Sequence, residues 1–168
     1  MFVDETGTAT NMAPRYGWGR CGERVIGAAP CGHWHTTTFV GGLTLGGFIS
    51  PLVIDGAMNA VTFEAWVSQS LVPELPERAV VVMDNLSAHK GRGVREMIEA
   101  AGAEVLYLPP YSPDLNPIEQ AFAKLKHLLR LARRRTTEEL WGEIGALLDR
   151  FEPPECARYF AHSGYAIN

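Results

Sequence analysis

The sequence predicts a single α/β domain whose central sheet is mixed, with three antiparallel strands followed by two parallel ones and helices flanking them. Three observations carry this prediction. The stretch HTTTFVGGLTLGGFISPLVIDG (35–56) is rich in β-branched residues and broken by glycine pairs, which reads as a hairpin. RAVVVMD (78–84) and AEVLYLPP (103–110) are short continuous apolar runs of strand length, as in strands buried on both faces. Helical periodicity precedes each run, and a longer stretch of it follows the second.

Taken in order, MFVD (1–4) is a short β-like run ending in Asp4. Residues 5–32 are rich in Gly, Pro and Arg and predict a loop holding a short strand at Arg24–Ala28. The hairpin comes next. In NAVTFEAWVSQSLVPEL (59–75) apolar residues at 63, 66, 67 and 71 have helical spacing, and Asn59 is placed to cap the start. GVREMIEAAG (93–102) predicts a helix closed by Gly102. After the Pro109–Pro110 stop, YSPDLNPIEQAFAKLKHLLRLARRR (111–135) begins as a turn-rich loop and becomes a helix at Pro117, with Asn116 as N-cap. Its apolar face is Ile118, Phe122, Leu125, Leu129 and Ala132. Thr136 or Thr137 caps a further helix, EELWGEIGALLDRF (138–151).

At 168 residues, 46% hydrophobic and 20% charged, the chain fits one globular domain spanning 1–168. No stretch approaches the ~18 apolar residues of a membrane span. MFVDETG places acid where a signal peptide places base, and three widely spaced cysteines suit a reducing compartment, so the expectation is cytoplasmic. Cys21, Cys31, His33 and His35 fit no paired zinc pattern. GGLTLGG lacks the Lys-Ser/Thr of a phosphate loop and reads as a turn. The net charge of −4 argues mildly against a nucleic-acid partner. Its distribution argues for one, because KLKHLLRLARRR (124–135) holds six Lys or Arg and no acid. On charge alone, a solvated helix face is the better explanation of the stripe.

The element order matches that of ribonuclease H-like domains, in which the first and fourth strands lie side by side in parallel. Their ends would then bring Asp4 and Asp84 together. Close carboxylates repel unless one is protonated or a cation bridges them. All-oxygen ligands suit Mg²⁺ or Mn²⁺. Glu119, at the start of the helix after the proline-rich loop, is placed to complete the site. Two ions in such a site, ~3.5–4 Å apart, stabilise the attacking and leaving oxygens of an in-line phosphoryl transfer. Glu5 and Asp114 are competing acids. Glu5 should point to the face of the strand opposite Asp4, and Asp114 sits where it can cap a turn. Each of Asp4 and Asp84 taken alone is an ordinary loop-starting residue, and His89 taken alone an ordinary loop histidine.

VVMDNLSAHK (81–90) followed by VLYLPPYSPDLNPIEQAF (105–122) resembles the catalytic core of DDE transposases of the mariner-like superfamily, and especially its bacterial insertion-sequence group, the IS six-thirty family. Between Asp84 and Glu119 lie 119 − 84 − 1 = 34 residues, the separation of that group. FVDETG and YSPDLNPIE resemble its first-aspartate and last-glutamate segments, and ECARYFAHSGYA its C-terminal end. The resemblance implies DNA cleavage and strand transfer. Asp4, Asp84 and Glu119 would be the catalytic metal ligands, with Asn85 and His89 orienting ligands or touching phosphate. Asn116 and Pro117 would set the entry to the Glu119 helix.

The implied partners are the element's terminal inverted repeats and target DNA, typically at TA, with two copies pairing two ends near the nucleoid. The family places helix-turn-helix modules before the first aspartate. Only three residues precede Asp4 here, so the expectation is a truncated copy, a second reading frame expressed by frameshifting, or a catalytic half served by an upstream helix-turn-helix polypeptide. Helical spacing from Glu119 reaches Lys126, Arg130 and Arg134. With Lys124 and Arg133 these are the candidate DNA-binding residues, and Trp18 and Arg20 could join them. The alternatives are a ribonuclease H-like nuclease without strand transfer and a non-catalytic DNA-binding remnant of a decayed element.

Overall fold

A computed structural model of the chain describes residues 1–86, 89 and 91–166; Ser87, Ala88 and Lys90 of the VVMDNLSAHK motif lie outside the described residues. The described residues build a five-stranded sheet in the order β3-β2-β1-β4-β5. Strands β1 (Phe2–Ala9), β2 (Thr36–Thr44) and β3 (Gly47–Asp55) run antiparallel. Strands β4 (Val80–Met83) and β5 (Glu104–Tyr107) continue the sheet in parallel with β1.

Strand β1 is twice the expected length: Thr6, Thr8 and Thr10 are buried beyond Asp4, and the Thr8 and Thr37 hydroxyls lie 2.8 Å apart across β1 and β2. The strand expected at Arg24–Ala28 does not form. Val25 and Ile26 are exposed, and residues 11–35 run outside the sheet as an open excursion with no ladder partner. The hairpin forms as read. Gly47, at φ 125°, takes a conformation closed to other residues right after the two-residue turn. β5 is an edge strand, so Glu104 and Leu106 face solvent, whereas the apolar run predicted burial on both faces.

Helices cover both faces. Helix α1 (Ala60–Trp66) runs through a widened turn (Val67–Leu71) into the short α2 (Val72–Glu74), and the Asn59 side chain accepts from the Thr62 N–H at 2.9 Å as its cap. With α3 (Arg92–Ala100), these bury Phe63, Trp66, Val67, Leu71, Val94 and Ile98 against Val3, Val40, Val81 and Met83. Gly102, at φ 83°, closes α3.

The opposite face holds α4 (Pro117–Ala132), α5 (Thr137–Leu148) and α6 (Pro153–His162). Ile118, Phe122, Leu125 and Leu129 of α4 are buried against Phe2, Phe39 and Leu43, while Ala132, expected on that face, is only half-buried. Each such side chain contributes roughly 1.5–3 kcal/mol by leaving water. Thr136 caps α5, accepting from the Glu139 N–H at 3.2 Å. Alternation along β1 therefore sends Phe2 toward the α4 core and Val3 toward the α1–α3 core. The next pair, Asp4 and Glu5, is divided in the same way.

Candidate active site

The parallel register pairs Phe2 with Val82 and Val3 with Met83. Asp4 and Asp84 are the next residues on from this register, close enough for their charges to interact. α4 begins above this sheet end, carrying Glu119 in its first turn. A cleft of about 350 Å³ is lined by Asp4, Asp84, Asn85, Asn116 and Glu119, with the Pro109–Pro113 loop as its far wall. Among the described residues no Lys or Arg lines it. Three acids remote in sequence thus share one open depression.

Asp4 is the most strained electrostatically. It is buried, its Oδ1 accepts from the Glu5 N–H at 2.8 Å, and its Oδ2 accepts from Asn116 Nδ2 at 2.8 Å. Burial, then the charges of Asp84, Glu5 and Glu119, push its pKa from 3.8 to about 7, against the lowering effect of the Glu5 N–H. Asn116 sits at the N-cap position of α4, but its side chain does not cap the helix; it turns to Asp4 instead. Its Oδ1 is buried with no donor among the described residues.

Asp84 is held differently. Its Oδ1 accepts from the Leu86 N–H at 3.1 Å and lies 2.6 Å from His89 Nδ1. The other ring nitrogen, Nε2, lies 2.7 Å from Glu5 Oε2. Both neighbours are carboxylates, so the fully buried ring donates from both nitrogens as an imidazolium. Burial disfavours that charge, but the two carboxylates outweigh it and lift the His89 pKa to about 9. Burial likewise opposes the Asp84 charge, and the His89 and Leu86 hydrogen bonds prevail, leaving its pKa below the ordinary value. Phe63 packs against His89, the two rings tilted by 32° with centroids 4.3 Å apart. The chain Glu5–His89–Asp84 therefore crosses the end of the sheet from the α1 side and fixes Asp84 from behind.

The set suits a hard divalent cation. The donors are all oxygen, the carboxylates of adjacent strands repel, and among the described residues no basic side chain lines the cleft to neutralise them. Asp4 and Asp84 would hold the ion from the sheet, with Glu119 facing the same cleft. The acids do not close on a point: among the described residues no three of His, Cys, Asp and Glu stand close enough to enclose an ion.

The basic stripe is only partly available. Lys124 is committed inside the fold, donating to Glu155 and to the Arg150 carbonyl and lying over the Phe151 ring, so it is not placed to meet DNA. Arg134 lies beyond the end of α4, because Arg133 turns left-handed at φ 53°, and it pairs with Glu143 at 2.7 Å. The predicted face therefore ends at Arg130, with Lys126 between it and Glu119. Asn85 lines the cleft. Trp18 and Arg20 lie exposed in the 11–35 excursion. Sequence reasoning missed the pairing of Glu5 with His89. The available signal was the strand alternation that turns Glu5 away from Asp4, toward a face where a charge needs a partner.

Carboxylates gathered from two adjacent strand ends and one helix start, on a mixed sheet of this order, make an acid cluster of the kind that serves metal-assisted phosphoryl transfer. The sequence is of that class: the family model described as DDE superfamily endonuclease matches residues 1–140, and the chain belongs to this family. Among curated proteins none matches the sequence. Among solved structures, the Mos1 mariner paired-end complex with Mn superposes with TM-score 0.68 at 20% identity, covering 99% of this chain and 56% of that one. The Mos1 strand transfer complex gives 0.66 at 20% identity, with the same coverage of 99% and 56%. The catalytic domain of Mos1 mariner transposase gives 0.59 at 18% identity, covering 99% of this chain and 84% of that one. The likeness identifies the fold as ribonuclease H-like. The chain spans a little over half of the length of the protein in the first two complexes. Among the described residues no helix is long and apolar enough to cross a membrane.

Proposed function

We propose that this chain is the catalytic domain of a divalent-metal-dependent transposase of the mariner-like superfamily, from its bacterial insertion-sequence group. It cleaves the ends of a DNA element and joins them to target DNA. The observation that carries the reading is that Asp4, Asp84 and Glu119, remote in sequence, line one cleft. Several of the similar Mos1 structures are transposon-end and strand-transfer complexes, two of the paired-end complexes solved with Mg or Mn, and they support DNA as substrate and Mg²⁺ or Mn²⁺ as cofactor.

When bound, the cation supplies charge neutralisation and activation of an oxygen nucleophile; two ions would serve both the attacking and the leaving oxygen. The chain's own residues do the rest. Asp4 and Asp84 offer oxygens from rigid strand ends, and Glu119 offers them from the rim. Glu5 and His89 hold Asp84 in one orientation, and Asn116 does the same for Asp4. The partners we propose are terminal inverted repeats, a TA-type target, a second copy of the chain to pair the ends, and helix-turn-helix modules that recognise those ends.

The test is strand transfer with pre-cut 3′-hydroxyl ends in Mn²⁺. Joined products that disappear with Asp84→Asn support the transposase. Nicking without joining supports a plain nuclease. A chain that neither cuts nor is stabilised by Mn²⁺ is a non-catalytic module.

A further inference from the structure

Among the described residues, two guanidinium groups stand together without a counter-ion, away from the acidic cleft. Arg15, in the excursion after β1, and Arg130, near the end of α4, line one pocket of about 140 Å³ with Tyr16 and His127. At ~30 Å³ per water, that is room for about four or five waters or one compact anion. Neither guanidinium has an ion-pair or hydrogen-bond partner among the described residues, and no acid lines the pocket. Burial and the nearby Arg15 charge hold the Arg130 pKa below its ordinary value, as expected of like charges held close.

The neighbouring bases are treated differently. The fold neutralises Lys124 with Glu155 and Arg134 with Glu143, and it binds Arg135 to the backbone carbonyls of Thr10 and Met12. Those two carbonyls lie just before Arg15, so the Arg135 anchor fixes the segment that brings Arg15 to α4. A like-charge pair placed by such an anchor and left uncompensated is stabilised by an anionic ligand.

We infer that Arg15 and Arg130, with His127 beside them, form a seat for one backbone phosphate of DNA. The inference rests on the DNA reading above and deepens it. DNA is favoured because the seat lies on the same helix face as the cleft: positions 119, 123, 126 and 130 follow helical spacing. Eleven residues at 1.5 Å place Arg130 about 16 Å along α4 from Glu119. A duplex lying along that face reaches the seat within about five base pairs of the cleft, at ~3.4 Å per pair.

The experiment measures binding of the full chain to a 20-bp duplex of arbitrary sequence in EDTA, by fluorescence anisotropy from 50 to 300 mM KCl. Removing the protein's hold on one phosphate should flatten the slope of log K against log[salt] by about 0.9. If both arginines engage the one phosphate, Arg15→Ala and Arg130→Ala each weaken binding several-fold. The double variant then flattens the slope by about 0.9 in total, and the paired lysine replacements restore it. Lys124→Ala leaves the slope unchanged. Circular dichroism confirms that each variant is folded. An unaltered slope in the double variant overturns the seat, as does a wild-type chain that does not bind the duplex at low salt. Metal-dependent cleavage by the wild type is scored separately. Cleavage with an unaltered slope removes the seat alone, and an intact seat without cleavage removes the catalytic reading alone.

Discussion

Replacing Asp4 by Asn should make the metal-free protein more stable at pH 8 and abolish its response to Mg²⁺. The Asp4 pKa is raised from 3.8 to about 7, chiefly by burial. About three pH units at ~1.4 kcal/mol each come to roughly 4 kcal/mol. The sign follows from the direction of the shift. A carboxyl whose folded pKa is raised favours folding while protonated. Measured against the ionised group, that contribution of roughly 4 kcal/mol is complete below about pH 4 and is lost as the pH climbs through about 7, where the buried charge stands uncompensated.

Asn cannot ionise, so it escapes this penalty. It disturbs the bond from Asn116 Nδ2 at 2.8 Å, worth about 1 kcal/mol. The net expectation is a variant about 1 kcal/mol less stable than wild type at pH 4 and about 3 kcal/mol more stable at pH 8. For a chain of this length each kcal/mol moves Tm by about 2–4 °C, so the difference swings from a few degrees negative to about 6–12 °C positive. Saturating Mg²⁺ should recover the missing stability in wild type, about 2.7 kcal/mol at one hundred times Kd, and leave the variant unmoved. Differential scanning fluorimetry from pH 4 to 8, with and without Mg²⁺, reads both effects. A Tm difference that stays constant across that range, or equal Mg²⁺ stabilisation of both proteins, would refute the assignment of Asp4 as a desolvated metal ligand.

Three further outcomes are expected. His89→Leu leaves the buried side of Glu5 and Asp84 without their shared cation and should destabilise the fold by roughly 3–5 kcal/mol in urea titration. Because the His89 pKa is raised to about 9, wild type's advantage over that variant should be full below about pH 6.5 and shrink as the pH rises through 9; a constant advantage would count against the imidazolium bridge. Glu119→Gln should reduce Mn²⁺-dependent cleavage at least a hundredfold while moving Tm by no more than about 1 °C, since the residue is exposed and the substitution keeps its shape; a variant that still cuts at the wild-type rate excludes Glu119 from the site. Lys124→Ala should lose about 1 kcal/mol of stability through its ion pair and its contact with Phe151, measured by thermal melting; unchanged stability would show that the ion pair contributes nothing measurable.

Where local pattern and tertiary demand coincide, the sequence is readable. The glycine-broken hairpin and most of the apolar helix faces follow from period and turn chemistry, and strand adjacency accounts for Asp4, Asp84 and Glu119 lining one cleft without closing on a point. The Arg24–Ala28 strand fails because two β-branched residues flanked by a glycine are too short an apolar run to hold a strand, and both remain exposed. β1 reads too short because Thr6, Gly7 and Thr8 resemble a turn, and only pairing with β2 shows that they are ladder residues. The basic stripe promises more than the fold leaves free, for a related reason. Charge is visible along a chain, but its compensation by Glu143 and Glu155 from other helices is not. Nor could composition reveal that Arg15 lies across the pocket from Arg130, 115 positions later in sequence.

The two adjacent acids of β1 show how one strand can serve a cleft twice. Pleating sends Asp4 to the α4 side, where it lines the cleft, and Glu5 to the α1 side, where it meets His89. His89 then passes the constraint across the strand end to Asp84. A one-residue slip of β1 against β4 would exchange the two roles and leave both aspartates unsupported. Register is therefore as functional here as any side chain, and the Phe2–Val82 and Val3–Met83 pairs fix it by burying one apolar residue in each core. Val3→Asp tests this directly: it places a charge in the α1–α3 core and should unfold the domain, not merely lower its metal affinity.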